Sequence, residues 1–172
     1  MAEKADILEL ADGLRKEADR IIYGKGIDKL LQPYGDVFYT GSYFLNVMVW
    51  PDIDITMALD PDPYSVEDFF EIGGKIARID SVISLKFNNF FRLEVQDLPE
   101  GLYWGICLDM ANRNTPWKID LWAKDKEALA EDRATMQRIL FSCYSRNSTY
   151  IVLNFVETRR KYFLILARTF CM

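Results

Sequence analysis

Gly41-Ser42-Tyr43-Phe44-Leu45-Asn46-Val47-Met48-Val49-Trp50-Pro51-Asp52-Ile53-Asp54-Ile55 joins a Gly-Ser pair to the start of a strand. From Asp52 the residues alternate. Ile53, Ile55, Met57 and Leu59 fall on one side, and Asp52, Asp54, Thr56 and Ala58 on the other. That is the period of two of a half-buried strand. Carboxylates at i and i+2 share one face, about 6 to 7 Å apart at ~3.3 Å per residue. Such a pair can bracket a divalent ion, and without one the two charges repel. Pro51 ends the apolar run 43–50, which reads equally well as helical turn or strand. Upstream, residues 37–40 are β-branched or aromatic and run into Gly41-Ser42, so a Gly-Ser pair sits at a strand end. There its amides and hydroxyl can face phosphate oxygens.

Completing a two-metal site and deprotonating an acceptor takes a third carboxylate. Asp120, in Trp117-Lys118-Ile119-Asp120-Leu121-Trp122, is the best candidate. Ile119 and Leu121 face the core, which leaves the acid on the other face of a strand. Asp109 competes, but it runs directly into Ala111-Asn112-Arg113-Asn114 and is more simply a turn residue. Glu94 reads as a polar-face residue. Cations near the phosphate site are left open among Lys75, Lys86 and Arg92.

Around this stretch, apolar residues from Ile7 to Ile22 recur at helical spacing and predict an amphipathic helix over 5–23, with a short second one over 27–32. Ser65 caps a helix that carries Val66, Phe69, Phe70, Ile76 and Ala77 inward. Gly73-Gly74 within it marks close packing against a sheet. Strands are expected at 90–95, 102–109 and 117–122, then helices near 124–144 and 148–168. The fold class is therefore α+β: a mixed sheet of about five strands, with helices mainly on one face. Residues 1–123 form the core and residues 124–172 a C-terminal helical segment packed on it. Trp50, Trp104, Trp117 and Trp122 read as core or rim residues, and Arg159-Arg160-Lys161 as a solvated face.

At 172 residues, half of them hydrophobic, the chain suits one domain with a substantial core. A net charge of −5 disfavours nucleic acid as a partner. Cys107, Cys143 and Cys171 show no CxxC spacing and read as reduced thiols of a cytoplasmic protein. The charged N-terminus is no signal peptide, and no run reaches membrane-spanning length. Histidine is absent altogether. That excludes Ser-His-Asp, Cys-His and HExxH chemistry, and leaves carboxylates, Lys, Tyr, backbone amides or a hard metal, for which carboxylate oxygens favour Mg²⁺ or Mn²⁺. The apolar C-terminal segment offers a face for the core or for a second copy in a homodimer.

Gly-Ser, a D-x-D strand about ten residues on, and a hydrophobic-flanked Asp on a later strand resemble the DNA polymerase β-like nucleotidyltransferase superfamily. In length and layout the chain is similar to its small, minimal and antibiotic-modifying members. The resemblance covers residues 30–123. It implies that Gly41 and Ser42 hold a triphosphate, and that Asp52 and Asp54 bind metal. Asp120 would be a further ligand or the general base. Relatives often carry Gly and Arg between the Gly-Ser pair and D-x-D, and a Ser before the first Asp. Here Asn46 and Pro51 stand there, and residues 43–50 hold no cation. The implied reaction moves a nucleoside monophosphate from an NTP to an acceptor hydroxyl, on a small molecule or a regulated protein. An inactive nucleotide-binding module of the same fold is the reading from another class.

Overall fold

The computed structural model describes residues 2–59, 65–96, 98–111 and 114–145. Helix α1 (Ala2–Asp19) passes through a π-helical turn (Arg20–Gly24) into α2 (Ile27–Leu31) and a 3-10 turn (Gln32–Tyr34). Strand β1 (Gly35–Thr40), the single helical turn α3 (Gly41–Phe44) and β2 (Asp52–Leu59) follow. Then come α4 (Val66–Ile76), β3 (Val82–Asn89), β4 (Leu102–Leu108), β5 (Trp117–Lys124) and α5 (Lys126–Ser145). The second C-terminal helix expected over 148–168, Arg159-Arg160-Lys161 and Cys171 lie outside the described residues.

Five strands form one mixed sheet in the order β1-β2-β5-β4-β3. The central β2 and β5 run parallel and the other pairs antiparallel. This is the α+β sheet that the alternating segments imply. Ile53, Ile55, Met57, Ile119, Leu121, Ile106 and Leu108 fill one face and are buried with Leu14, Ile21, Ile22, Ile27, Leu31, Phe69 and Ile76 from the helices. Full burial of each such side chain contributes about 1.5–3 kcal/mol. Helix contacts confirm the side: the Trp117 indole donates to Glu17 of α1 at 3.1 Å, and the Trp104 indole to the Phe69 carbonyl of α4 at 2.9 Å. Tyr39, on the same face, donates to Asp28 of α2 at 2.8 Å.

Helix α5 lies on the opposite face. Lys124 meets its Asp132 at 2.7 Å, and its Arg133 meets Asp36 at 2.6 Å. Asp36, Ala58 and Lys124 are paired across three strands. That row lies four residues along β2 from Asp54, about 13 Å at ~3.3 Å per residue. The helix therefore covers one end of this face and leaves the acidic end to other neighbours.

Two sequence expectations are corrected. The strand expected at 90–95 is instead β3 at Val82–Asn89, and residues 90–95 form turns, with Arg92 and Leu93 amides bonded to the Asn89 carbonyl. A bulge between Val82 and Ser84 shifts the register, so Val82, Leu85 and Phe87 share the core side without simple alternation. In α4 the buried stripe is Phe69, Ile72, Gly73 and Ile76, whereas Val66, Phe70 and Ala77 are exposed. Phe70 still packs its ring 4.6 Å from that of Phe87. The Ser65 cap holds, accepting from the Asp68 amide at 3.0 Å. So does the close approach at Gly73, where an added Cβ would lie 2.6 Å from the Trp104 ring; Gly74 has nothing within 4 Å. Among the described residues, no helix is long and apolar enough to cross a membrane.

Candidate active site

Register assembles the acids. Asp54 pairs with Asp120 and Asp52 with Lys118 across the parallel β2–β5 junction. Paired strand residues project from the same face. One carboxylate oxygen from each of Asp52, Asp54 and Asp120 lies within 4.8 Å of the others. On the other side of β2, the antiparallel pairing with β1 sets Thr40, the last residue of β1, opposite Asp54. Gly41-Ser42 therefore leaves the sheet beside that carboxylate. Gly41 turns the chain with a φ of 62°, in the left-handed region that glycine enters at little cost. Ser42 is buried. The turn closes with Leu45 N–H on the Gly41 carbonyl and Val47 N–H on that of Ser42. From α1, Arg15 donates to the Tyr43 carbonyl at 2.6 Å and its guanidinium stacks on the Tyr43 ring, while the Tyr43 hydroxyl donates to Asp19. Helix α1 thus fixes the segment that carries the Gly-Ser pair.

Sequence reasoning missed three neighbours of Asp120. Lys118, on the same face of β5 and buried, donates to its Oδ2 at 2.7 Å. Tyr103 of β4 donates to its Oδ1 at 2.6 Å. Gly105, paired with Asp120, makes room for that bond, since an added Cβ would lie 2.8 Å from the Tyr103 hydroxyl. The alternation that selects Asp120 also selects Lys118 two residues earlier. Tyr103 and Gly105 were harder to see, because β4 is buried on both faces and shows no alternation. A glycine inside a strand, marking close approach, was the available signal. Beyond Tyr103, the Trp122 and Phe90 rings stack at 5.1 Å.

The electrostatics are those of a crowded acidic site. Burial pushes the Asp120 carboxyl above its ordinary range and the nearby Asp54 charge adds to this, against the pull of Lys118 and Tyr103. Burial also pushes the Tyr103 hydroxyl up, reinforced by Asp120, so it remains a donor. For Lys118 burial alone would lower the value, but Asp120, Asp52 and Asp54 together raise it and keep the ammonium charged. Asp54 acting on Asp120, and the three acids acting together on Lys118, show surplus negative charge in the cluster, which a cation would relieve.

Three hard oxygen donors suit Mg²⁺ or Mn²⁺. An ion bonding oxygens at about 2.1 Å spans at most about 4.2 Å between them, so a separation within 4.8 Å asks for only slight side-chain closure. Asp109 is exposed and outside this cluster, and Glu94 is exposed too. Of the cations left open, Lys75 is exposed and engaged with Glu71 and Tyr34, and Arg92 lies in the turn after β3. Lys86 shares the row of Asp120 beyond Gly105, two strands away. Trp104 and Trp117 are core residues, Trp122 half-buried and Trp50 exposed.

No model of a known protein family and no curated protein matches the chain. Solved structures of similar layout include the non-canonical poly(A) polymerase complex GLD-2–GLD-3, with a TM-score of 0.45, 16% identity, and coverage of 71% of this chain and 39% of that chain. The GLD-2/RNP-8 complex gives 0.49 and 13%, covering 87% and 62%. The Cid1 poly(U) polymerase with Mg and 3′-dATP bound gives 0.45 and 12%, covering 75% and 40%. The chain thus spans less than two thirds of each of these solved chains. At this structural distance the chain's chemistry is left to be read from its own residues.

Proposed function

We propose that this protein is a cytoplasmic, Mg²⁺-dependent nucleotidyltransferase that moves a nucleoside monophosphate from an NTP to a hydroxyl of a small molecule. The observation that carries this reading is the cluster of Asp52, Asp54 and Asp120, within 4.8 Å of one another on adjacent parallel strands, beside the Gly41-Ser42 turn. Asp52 and Asp54 would hold the ion, with Asp120 as third ligand or as base. Once bound there, the ion would neutralise triphosphate charge and polarise the phosphorus under attack. The Gly41-Ser42 amides and hydroxyl orient the phosphates. Asp120 takes the acceptor's proton as its oxygen bonds the α-phosphorus and the bond to pyrophosphate breaks. Tyr103 and Lys118 each donate a hydrogen bond to that carboxylate. The overall charge of −5 favours a neutral or cationic acceptor over a polyanion.

The test is incubation with α-labelled NTPs, Mg²⁺ and a panel of small hydroxyl compounds, with RNA and protein acceptors alongside. Label joined to a small compound supports the reading. Label on RNA or protein alone moves the acceptor class, and no transfer to any acceptor leaves a binding module.

A further inference from the structure

Lys118 has no role in the family resemblance, yet it is a buried ammonium on the face that carries all three acids. It pairs in register with Asp52 and bonds Asp120 at 2.7 Å. A lysine is seldom buried without a partner that stabilises its charge. Here it sits where the charge of a divalent ion is wanted. Among the described residues, the three carboxylates of the cluster and the Lys118 ammonium sum to two negative charges, which a divalent ion would offset.

We propose, building on the nucleotidyltransferase reading, that Lys118 is a resident counter-cation that competes with metal for the acidic cluster. It weakens metal binding by the nucleotide-free protein. Metal is then held firmly only when nucleotide phosphates add their own negative charge. Lys118 acts through Asp120 and is a positioning residue, since its ammonium touches that carboxylate and no reacting atom is assigned to it. A merely structural lysine makes the opposite forecast: its loss would disorder Asp120 and weaken the metal.

The experiment is Mn²⁺ titration of the full chain without nucleotide, followed by electron paramagnetic resonance, for the wild type, Lys118→Met, Lys118→Gln and Lys118→Arg. Met removes charge and donor, Gln keeps a donor without charge, and Arg keeps the charge. Circular dichroism shows which variants fold, and Gln stands in if Met does not. Expected is roughly tenfold or more tighter Mn²⁺ binding in Met and Gln than in the wild type, as removal of a unit charge a few ångströms away implies. Arg should stay near the wild type. Unchanged or weaker binding in the neutral variants overturns the role of Lys118 and leaves the nucleotidyltransferase reading standing. No Mn²⁺ on any of the proteins, with or without NTP, overturns both. Binding by the neutral variants where the wild type shows none is the proposal in its strongest form.

Discussion

Asp120 concentrates the residue-scale chemistry, because burial, Asp54, Lys118 and Tyr103 all act on one carboxylate. Asp120→Asn keeps its shape and loses the charge. Its transfer rate should fall by about 10²-fold or more, while nucleotide binding stays close to wild type. Asp54→Asn should lose transfer and bind the metal–nucleotide complex more weakly, as a ligand would. Initial-rate kinetics beside calorimetry separates the two, and full activity in Asp120→Asn would remove that residue from the chemistry. Metal-free Asp120→Asn should remain folded by circular dichroism, since the amide oxygen still accepts one of the two hydrogen bonds and relief of the repulsion with Asp54 offsets the lost ion pair with Lys118. Gly105→Ala tests the support of this carboxylate. Its Cβ would come within 2.8 Å of the Tyr103 hydroxyl, so the ring must swing off Asp120. Transfer should then fall as it does in Tyr103→Phe, and a Gly105→Ala enzyme as active as wild type would mean the Tyr103 bond is dispensable.

At the scale of elements, register does the work, and register is where sequence reading succeeded and failed. The D-x-D alternation placed β2, the isolated acid between Ile119 and Leu121 placed β5, and Ser65 placed the start of α4. Each of these signals is local. Strand β3 escaped because its bulge breaks the alternation, while the aromatic pair Phe90-Phe91 imitates a strand in a turn. Tyr103 reaches the site across a strand pair, and only the nearby Gly105 hints in the local sequence at a contact 17 residues away. The Phe70 side of α4 was misassigned because a helical run of apolar residues exceeds the width of the face it buries. The packing of α4 on β4 is testable at Gly73→Ala, whose Cβ would meet the Trp104 ring at 2.6 Å. Overpacking of this kind costs about 1–3 kcal/mol. Urea denaturation should show it, and an unchanged midpoint would mean that the indole can move aside at little cost.

For the whole molecule, one sheet divides the labour. Its helix-covered face carries the core, and its other face carries the acids, flanked by the Gly-Ser turn and capped at the far end by α5. Because the acidic cluster is short of positive charge, Mg²⁺ with NTP should raise the melting temperature, and nucleotide affinity should drop sharply in EDTA. Equal affinity with and without Mg²⁺ would mean that protein cations alone neutralise the phosphates. The most direct measurement runs α-labelled and γ-labelled ATP in parallel, with Mg²⁺ and the acceptor panel, on wild type and Asp54→Asn. The account predicts that the α-label joins an acceptor while the γ-label leaves as pyrophosphate, and that neither happens in Asp54→Asn or in EDTA. Transfer of the γ-label, or α-transfer that survives in Asp54→Asn, would contradict it.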